Sequence, residues 1–450
     1  MHFIDEFSQR AKHYLSQTNG NPVYPNVSSI NELKKFDTAL QQNPVDTADV
    51  LKLLDDAGSP ATVKSTGGRY YGFVNGGCLP AAMCAKLLAT VWDQNAALTV
   101  MSPVASALEE IAGKWMLQLL GLPESCGFGF VTGDTMANFT ALAAARHKLL
   151  KNEGWDVEAR GLFHSPEITV IVGEEVHVSV LKALSMLGFG RDRVVRVPAD
   201  EQGRMIAGKI PDIKGPAIIC TQAGNVNTGA FDPVEDICSK VESKNVWVHV
   251  DGAFGLWAAA SSQKKYLARG IEMADSWATD AHKWLNVPYD CGLVFVRDKE
   301  ALFTSMSSTA SYLPSNALRE PFQYVPEMSR QARGIPVWAA LKSLGSQGLE
   351  QLIERNCHNA VHFAEALTAA GFNVLNDVVL NQVLVSFGSA SATQKVIKNV
   401  QEEGVCWCGG TIWKGKSAMR ISVSCYATTD EDVNLSLQSI IKHAKNIHGD

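Results

Sequence analysis

Between Val131 and Asp298 the chain alternates short β-branched runs with segments whose apolar positions recur at helical spacing. The runs Ile168–Val172, Val194–Val197, Ala217–Thr221, Val246–Asp251 and Gly292–Arg297 predict strands. Val178–Leu187 and Pro233–Ser243 predict helices between them. This order is the pattern of an α/β core in which crossover helices join a mostly parallel sheet. Residues 1–66 read instead as helices joined by polar turns, with Asn21-Pro22 and Ser59-Pro60 as breakers, and such a segment does not easily bury itself alone. Past the core, helical patterns at Val337–Leu344 and Leu349–Leu367 precede the shorter strands Gln382–Phe387 and Met419–Val423, which predicts a small C-terminal α/β unit. The expected division is a helical segment over 1–66, a large domain over 67–340 and a small domain over 341–450. The stretch from Ser307 to Gly334 holds prolines and serines without a clean period, and reads as a mobile flap or a solvated connector.

Composition narrows the class without naming a chemistry. The chain has 450 residues, 46% hydrophobic and 19% charged, with a formal net charge of -6. These are ordinary globular values, and no clustered basic run offers a footprint for nucleic acid or an anionic membrane. The start, Met1-His2-Phe3-Ile4-Asp5-Glu6-Phe7, lacks the basic-then-apolar pattern of a signal peptide, and no apolar run reaches bilayer length, so the expected location is cytoplasmic. Ten cysteines are scattered through presumed core segments, and Cys406-Trp407-Cys408 lacks the two-residue spacing of a redox or zinc pair. Buried thiols and no metal site are expected.

Chemistry enters with Lys283, in the run Ala278-Thr279-Asp280-Ala281-His282-Lys283-Trp284-Leu285-Asn286 that follows the strand Val246-Trp247-Val248-His249-Val250-Asp251. A lysine amine and a strand-end carboxylate in this order suit pyridoxal 5'-phosphate. That cofactor needs an amine to hold its aldehyde as a Schiff base and a carboxylate to keep its pyridine nitrogen protonated. By alternation Trp247, His249 and Asp251 share one strand face. Gly252 and Ala253 would let a ring approach closely; the alternative for Asp251 is to cap the next helix.

Other parts stand in sequence around this pair. Phe130-Val131-Thr132-Gly133-Asp134-Thr135 runs from a strand through a glycine turn into an Ala-rich helix, where backbone N–H groups suit a phosphate dianion and Thr135 adds a hydroxyl. A plain N-cap by Thr135 or Asp134 explains the same turn, and Asp134 helps a phosphate only if its side chain points away. His177 follows another strand end, where it can stack on the ring or pack as a core histidine. His282 either donates to a phosphate or packs. Arg420 is flanked by apolar strand residues and meets either a substrate carboxylate or a structural partner.

Together these residues resemble the group II pyridoxal-phosphate-dependent amino-acid decarboxylases, which include aromatic amino-acid and glutamate decarboxylases. The resemblance runs from Arg69-Tyr70-Tyr71-Gly72-Phe73 through Asp251, the Asp280-Ala281-His282-Lys283-Trp284 block and Met419-Arg420-Ile421 to Ala427-Thr428-Thr429-Asp430-Glu431-Asp432. It implies the fold type I architecture of the aspartate aminotransferase superfamily: a helical N-terminal segment, a large domain with a mostly parallel sheet and a small C-terminal α/β domain. It implies Lys283 as the Schiff-base lysine, Asp251 on the pyridine nitrogen, His177 over the ring and Ala253 beneath it. Gly133, Asp134, Thr135 and His282 fall on phosphate positions, Asn225 on a segment lining the cofactor, Asn75 on the substrate pocket and Arg420 on an arginine that grips a substrate carboxylate. It further implies a homodimer, embraced by the N-terminal segments, with the active site at the subunit boundary.

One departure matters. Family decarboxylases carry a loop tyrosine that returns a proton to carbon, and no tyrosine here falls clearly on it; Tyr312 and Tyr324 lie nearby, with Glu320 or Phe322 in the slot. The expectation is decarboxylation of an L-amino acid to its amine and carbon dioxide. The alternatives are aldehyde-forming oxidative deamination, an aminotransferase breaking the Cα–H bond, and a non-catalytic protein that binds the cofactor or a metabolite. A nicotinamide dehydrogenase fits poorly, because no G-x-G-x-x-G run links a strand to a helix.

Overall fold

A computed structural model of the chain describes residues 2–20, 22–242, 244–308 and 319–448. It divides into two compact units, one of residues 78–358 and 376–382, the other of residues 1–77, 359–375 and 383–450. The division does not follow chain order as the hydrophobic pattern suggested. Long-range backbone bonds are the reason: Val23 N–H donates to Gly404 O at 2.9 Å, Trp407 N–H to Arg69 O at 3.0 Å and Tyr71 N–H to Trp407 O at 2.8 Å. The first 77 residues thereby join the C-terminal ones, and the boundary expected at 340 falls inside the helix Gly334–Ala369, which is broken at Gly345.

The larger unit is built on a seven-stranded sheet. Its strands are β1 (Gly127–Val131), β2 (Thr169–Gly173), β3 (Val195–Val197), β4 (Ala217–Gln222), β5 (Val246–Asp251), β6 (Ser276–Asp280) and β7 (Gly292–Val296), in the spatial order β1-β7-β6-β5-β4-β2-β3. Strands β2 to β6 pair in parallel, whereas β7 runs antiparallel to both β6 and β1. The predicted strands are present. β6 escaped prediction because Ser-Trp-Ala-Thr-Asp has neither an alternating pattern nor an apolar run, yet all five are buried. Two of its side chains are satisfied inside: Trp277 Nε1 donates to Ile271 O at 2.8 Å, and Ser276 Oγ accepts from Trp247 Nε1.

The helix Asp134–Asn152 packs over β5, β6 and β7 and is buried nearly all round, at Ala137, Ala141, Ala143, Ala144, Ala145, Leu149 and Leu150 among others. Alanines supply little apolar area each, but they let the helix sit close to the sheet. The large apolar side chains lie elsewhere in this unit; Trp257 and Trp277, both fully buried, each remove roughly 150–250 Å² from water, on the order of 4–6 kcal/mol. Because β7 alone is reversed, the carboxyl ends of β1, β2, β4, β5 and β6 open on one edge, the edge where open α/β sheets collect ligands.

The other unit carries a second sheet, in the order β10-β11-β9-β8, of β8 (Asn373–Val374), β9 (Gln382–Ser386), β10 (Gly409–Trp413) and β11 (Lys416–Ser422). The helix Ala390–Glu403 packs on β11 through Thr393, Val396, Ile397 and Val400, one stripe at helical spacing. Ser389 opens it by accepting the Ala392 N–H at 3.1 Å, a cap of about 1 kcal/mol, and Gly404 closes it in the left-handed region at φ 75°. The N-terminal helices Val27–Glu32 and Thr47–Leu53 bury no residue.

Candidate active site

Each candidate side chain is set out by the element that ends beside it. Lys283 is presented by the turn after β6, where its neighbours Ala281, Trp284, Leu285 and Asn286 are all buried and hold the backbone still. Its Nζ lies 3.0 Å from Asp280 Oδ2, one helical-turn spacing back in sequence. Burial works against the ammonium charge, but Asp280, Asp134 and Asp251 outweigh it and raise the lysine pKa above its ordinary value. Asp251 ends β5 and is buried; its Oδ1 accepts the Ala253 N–H at 3.2 Å. One nitrogen of His177 and one oxygen each of Asp134 and Asp251 all lie within 4.8 Å of one another, so three residues far apart in sequence meet at the sheet edge.

His177 caps the helix Val178–Met186, its Nδ1 accepting the Ser179 N–H at 3.3 Å. Ser179 Oγ also lies 2.8 Å from that nitrogen and 3.0 Å from Asp134 Oδ2. Gly133 opens the helix Asp134–Asn152 with no side-chain cap, leaving the first N–H groups to face the edge. The Asp134 carboxylate turns inward: Asn138 Nδ2 donates to its Oδ2 at 2.9 Å, and its buried Oδ1 has no hydrogen-bond partner. Gly292 sits between the ends of β1 and β6, where a Cβ would come 2.5 Å from the Gly133 backbone. His282 accepts the Cys291 N–H on Nδ1 at 3.1 Å, which leaves Nε2 3.5 Å from Asp280 Oδ2; burial lowers its pKa.

Asn225 is buried and its Oδ1 accepts the Asn227 and Thr228 N–H groups at 2.9 and 3.3 Å, so the side chain shapes the 224–231 turn. Asn75 and Arg420 belong to the other unit. Asn75 follows Phe73 and Val74, both left-handed at φ 54° and 60°, an uncommon backbone for a β-branched residue. Arg420 lies on β11 opposite Gly409, and burial lowers its pKa. Tyr312 lies outside the described residues. Tyr324, Glu320 and Phe322 are buried: the Tyr324 ring packs under Arg319, and Glu320 Oε2 accepts the Thr99 N–H at 2.6 Å.

Four residues here were not singled out from the sequence. Asp280, Asn138, Ser179 and His249 surround the candidates, and the last is aligned by Ser276 Oγ, 2.8 Å from Nδ1, and Asn138 Oδ1, 2.7 Å from Nε2. Burial brings the His249 pKa down to about 4, so the ring is neutral. Local spacing carried part of the signal: Asn138 stands one helical turn after Asp134, and His249 alternates with Asp251.

An amine, a strand-end carboxylate, an imidazole and an uncapped helix start, gathered where parallel strands end, define a site of the lysine-dependent pyridoxal type on an α/β fold. The donor set fits that cofactor: among the described groups, the buried Asp134 and Asp280 Oδ1 atoms have no partner, and Lys283 is partly open to the edge. The family model for the pyridoxal-dependent decarboxylase conserved domain matches residues 31–388. The chain therefore belongs to the pyridoxal-dependent decarboxylases: it is a carboxy-lyase that uses pyridoxal 5'-phosphate to decarboxylate an amino acid. It is 24% identical over 449 residues to an aromatic-L-amino-acid decarboxylase of Bacillus atrophaeus, covering 94% of this chain and 91% of that one. It is 28% identical over 390 residues to an L-2,4-diaminobutyrate decarboxylase of Rhizobium meliloti (strain 1021), covering 81% and 76%. Its fold matches the crystal structure of Oryza sativa TDC with PLP and tryptamine at a TM-score of 0.91 and 20% identity, over 99% of this chain and 97% of that one. Among the described residues no helix is long and apolar enough to cross a membrane.

Proposed function

We propose that Lys283 is the amine that carries the cofactor covalently and that an L-amino acid displaces it there. When bound, pyridoxal phosphate supplies an electron sink for the pair released as the bond to the α-carboxylate breaks. The observation that carries the assignment is a partly open Lys283 amine ringed by buried carboxylates at the strand ends. Asp251 keeps the ring nitrogen protonated by stabilising its charged form. His177, held by the Ser179 N–H, would hold the cofactor ring from one side, and Ala253, whose N–H donates to Asp251, would leave room for it on the other. The N–H groups after Gly133, the Thr135 hydroxyl and His282 hold the phosphate, with Asp134 turned away from it. Asn225 lines the cofactor through the turn it shapes.

Choice of reaction depends on orientation, because the bond that breaks is the one held perpendicular to the ring. We assign that gripping role to Asn75 and Arg420 in substrate binding. The exposed apolar residues of the N-terminal helices, such as Phe3, Val27 and Leu54, support a homodimer with the active site at the subunit boundary. Ten unpaired cysteines support a reducing compartment, and we take the enzyme to be cytoplasmic.

The buried Tyr324 ring favours a second reading of the product, aldehyde-forming oxidative deamination, since that tyrosine is not free to return a proton. Product analysis on an amino-acid panel separates the two: amine with carbon dioxide supports decarboxylation alone, whereas aldehyde, carbon dioxide, ammonia and hydrogen peroxide, formed with uptake of dioxygen and water, support the second. Replacing Lys283→Ala tests the central assignment. The yellow absorbance of the bound cofactor and turnover should both vanish; a variant that keeps either removes Lys283 from the role.

A further inference from the structure

The buried polar group behind the site has a proton count that can be followed atom by atom, because one end is a donor-only indole. Trp247 Nε1–H donates to Ser276 Oγ at 2.8 Å, which leaves the Ser276 hydroxyl proton for His249 Nδ1, also 2.8 Å away. A neutral imidazole accepting on Nδ1 carries its proton on Nε2, and that proton goes to Asn138 Oδ1 at 2.7 Å. Asn138 must then present its amide NH₂ to Asp134 Oδ2 at 2.9 Å and Asp251 Oδ2 at 3.5 Å. Trp247, Ser276, His249 and Asn138 are all buried, so water does not scramble this polarity.

The opposite side closes the count. The Ser179 N–H donates to His177 Nδ1, which fixes that nitrogen as an acceptor, and the one Ser179 hydroxyl proton is directed at the same nitrogen at 2.8 Å. With that proton on His177, Ser179 Oγ no longer donates across the 3.0 Å to Asp134 Oδ2 and is left to accept, from Asn138 Nδ2 at 3.3 Å and from Asp134. Two oxygens at that separation in a dry site need a hydrogen between them, and Asp134 is the source that remains.

We propose that Asp134 is a neutral carboxylic acid that donates its proton to Ser179 Oγ, a positioning residue that aims His177 through Ser179 and leaves Asp251 as the ionised member of a carboxyl pair. The proposal deepens the assignments of Asp251 and His177 made above and rests on them. It also explains how an acidic residue stands in the first turn of a phosphate-binding helix without adding charge to it. The titratable and charged groups facing Asp134 are Asp251 from β5, Asp280 from β6, Lys283 from the following turn, and His177. Asp134 Oδ1 has no hydrogen-bond partner, a tolerable loss for a carbonyl oxygen and a severe one for an anion. Burial first, then Asp251 and Asp280, hold the Asp134 carboxyl well above the usual carboxylate range, although Lys283 pulls the other way, as a Ser179 hydroxyl proton would if it were turned to the carboxylate. The helix start also favours the anion, but a partial charge at a helix end is smaller than the loss of water and the repulsion from two neighbouring carboxyls.

Infrared difference spectroscopy of the holoenzyme at pH 8 tests this. Asp232 and Asp275, two other buried carboxyls raised to about 6 by burial, are ionised at that pH. Wild type should show a protonated-carboxyl band above the amide region that moves on ¹³C-aspartate labelling and is missing from Asp134→Asn. Ser179→Ala should keep the band at a higher frequency, since the acid loses its acceptor, and this arm stands even if Asp134→Asn folds poorly. No band in wild type, a band that survives in Asp134→Asn, or one unmoved in Ser179→Ala overturns the proposal. The same spectrum taken on Lys283→Ala separates the two readings: colour retained with the band present defeats the lysine assignment alone, and colour lost with the band absent defeats the carboxyl pair alone.

Discussion

Glu109→Gln probes what holds β1, and with it the Gly133 turn, in place. Glu109 lies buried in the helix Pro103–Leu119, where its Oε1 accepts from Arg319 Nη1 at 3.1 Å and its Oε2 from Arg330 Nη2. The same arginines donate to strand β1 itself, Arg319 to Phe128 O at 2.7 Å and Arg330 to Phe130 O at 2.9 Å. One carboxylate is thus shared by two guanidiniums, of which Arg330 is 1% exposed and Arg319 11%. Removing one partner of a buried pair costs roughly 3–5 kcal/mol, because the charge left behind has lost both water and counter-ion. Glutamine keeps one acceptor oxygen and Arg319 retains a little solvent, so the lower end, about 3 kcal/mol, applies. At about 2 °C per kcal/mol for a domain of this size, the Tm should fall by about 6 °C.

Thermal unfolding by circular dichroism, with pyridoxal phosphate held at one saturating concentration, measures that fall. A cycle with Arg330→Met sharpens it: the methionine should cost at least about 1 kcal/mol less in the Glu109→Gln background than in wild type, since it then removes an uncompensated charge. A Tm within about 1 °C of wild type, the range of an ordinary surface substitution, would refute the reasoning, and so would an additive cycle.

Two further outcomes follow from the same physics. Burial alone would raise the Glu403 carboxyl, but Lys442, Ser439 and His443 bring it down to about 2; a depressed folded pKa stabilises above the unfolded value and loses that stability as pH falls through the folded one. Glu403→Gln should therefore lower the Tm at pH 7 and make little difference near pH 2, and a gap between variant and wild type that is constant with pH speaks against it. Gly292→Ala puts a Cβ 2.5 Å from the Gly133 backbone at the phosphate turn, so cofactor affinity measured by absorbance titration should weaken at least tenfold, roughly 1.4 kcal/mol; unchanged affinity would mean the turn yields freely.

Much of the site was legible in the chain because its main pieces sit at strand ends, and strand ends are marked locally. Asp251 closes an apolar run whose alternation puts it on the face of Trp247 and His249, and in the fold all three point into one buried group. Lys283, His177 and Gly133 each follow a strand in the same way, and parallel connection is enough to bring such ends to a common edge. The strand Ser276–Asp280 was harder to see, since its serine, threonine and aspartate resemble a turn until buried partners for them are known.

What alternation and motif order determined was the class of fold, the lysine and carboxylate, and the edge where they meet. Tertiary structure alone decided that residues 1–77 join the C-terminal sheet, that Glu109 serves two arginines from a later stretch, and that an oxygen of Asp134 lies within 4.8 Å of one of Asp251. The physical reason is range. Hydrophobic periodicity reports which local face leaves water, while a hydrogen bond between residues a hundred positions apart depends on where the folded backbone carries both atoms, and only the complete packing sets that separation.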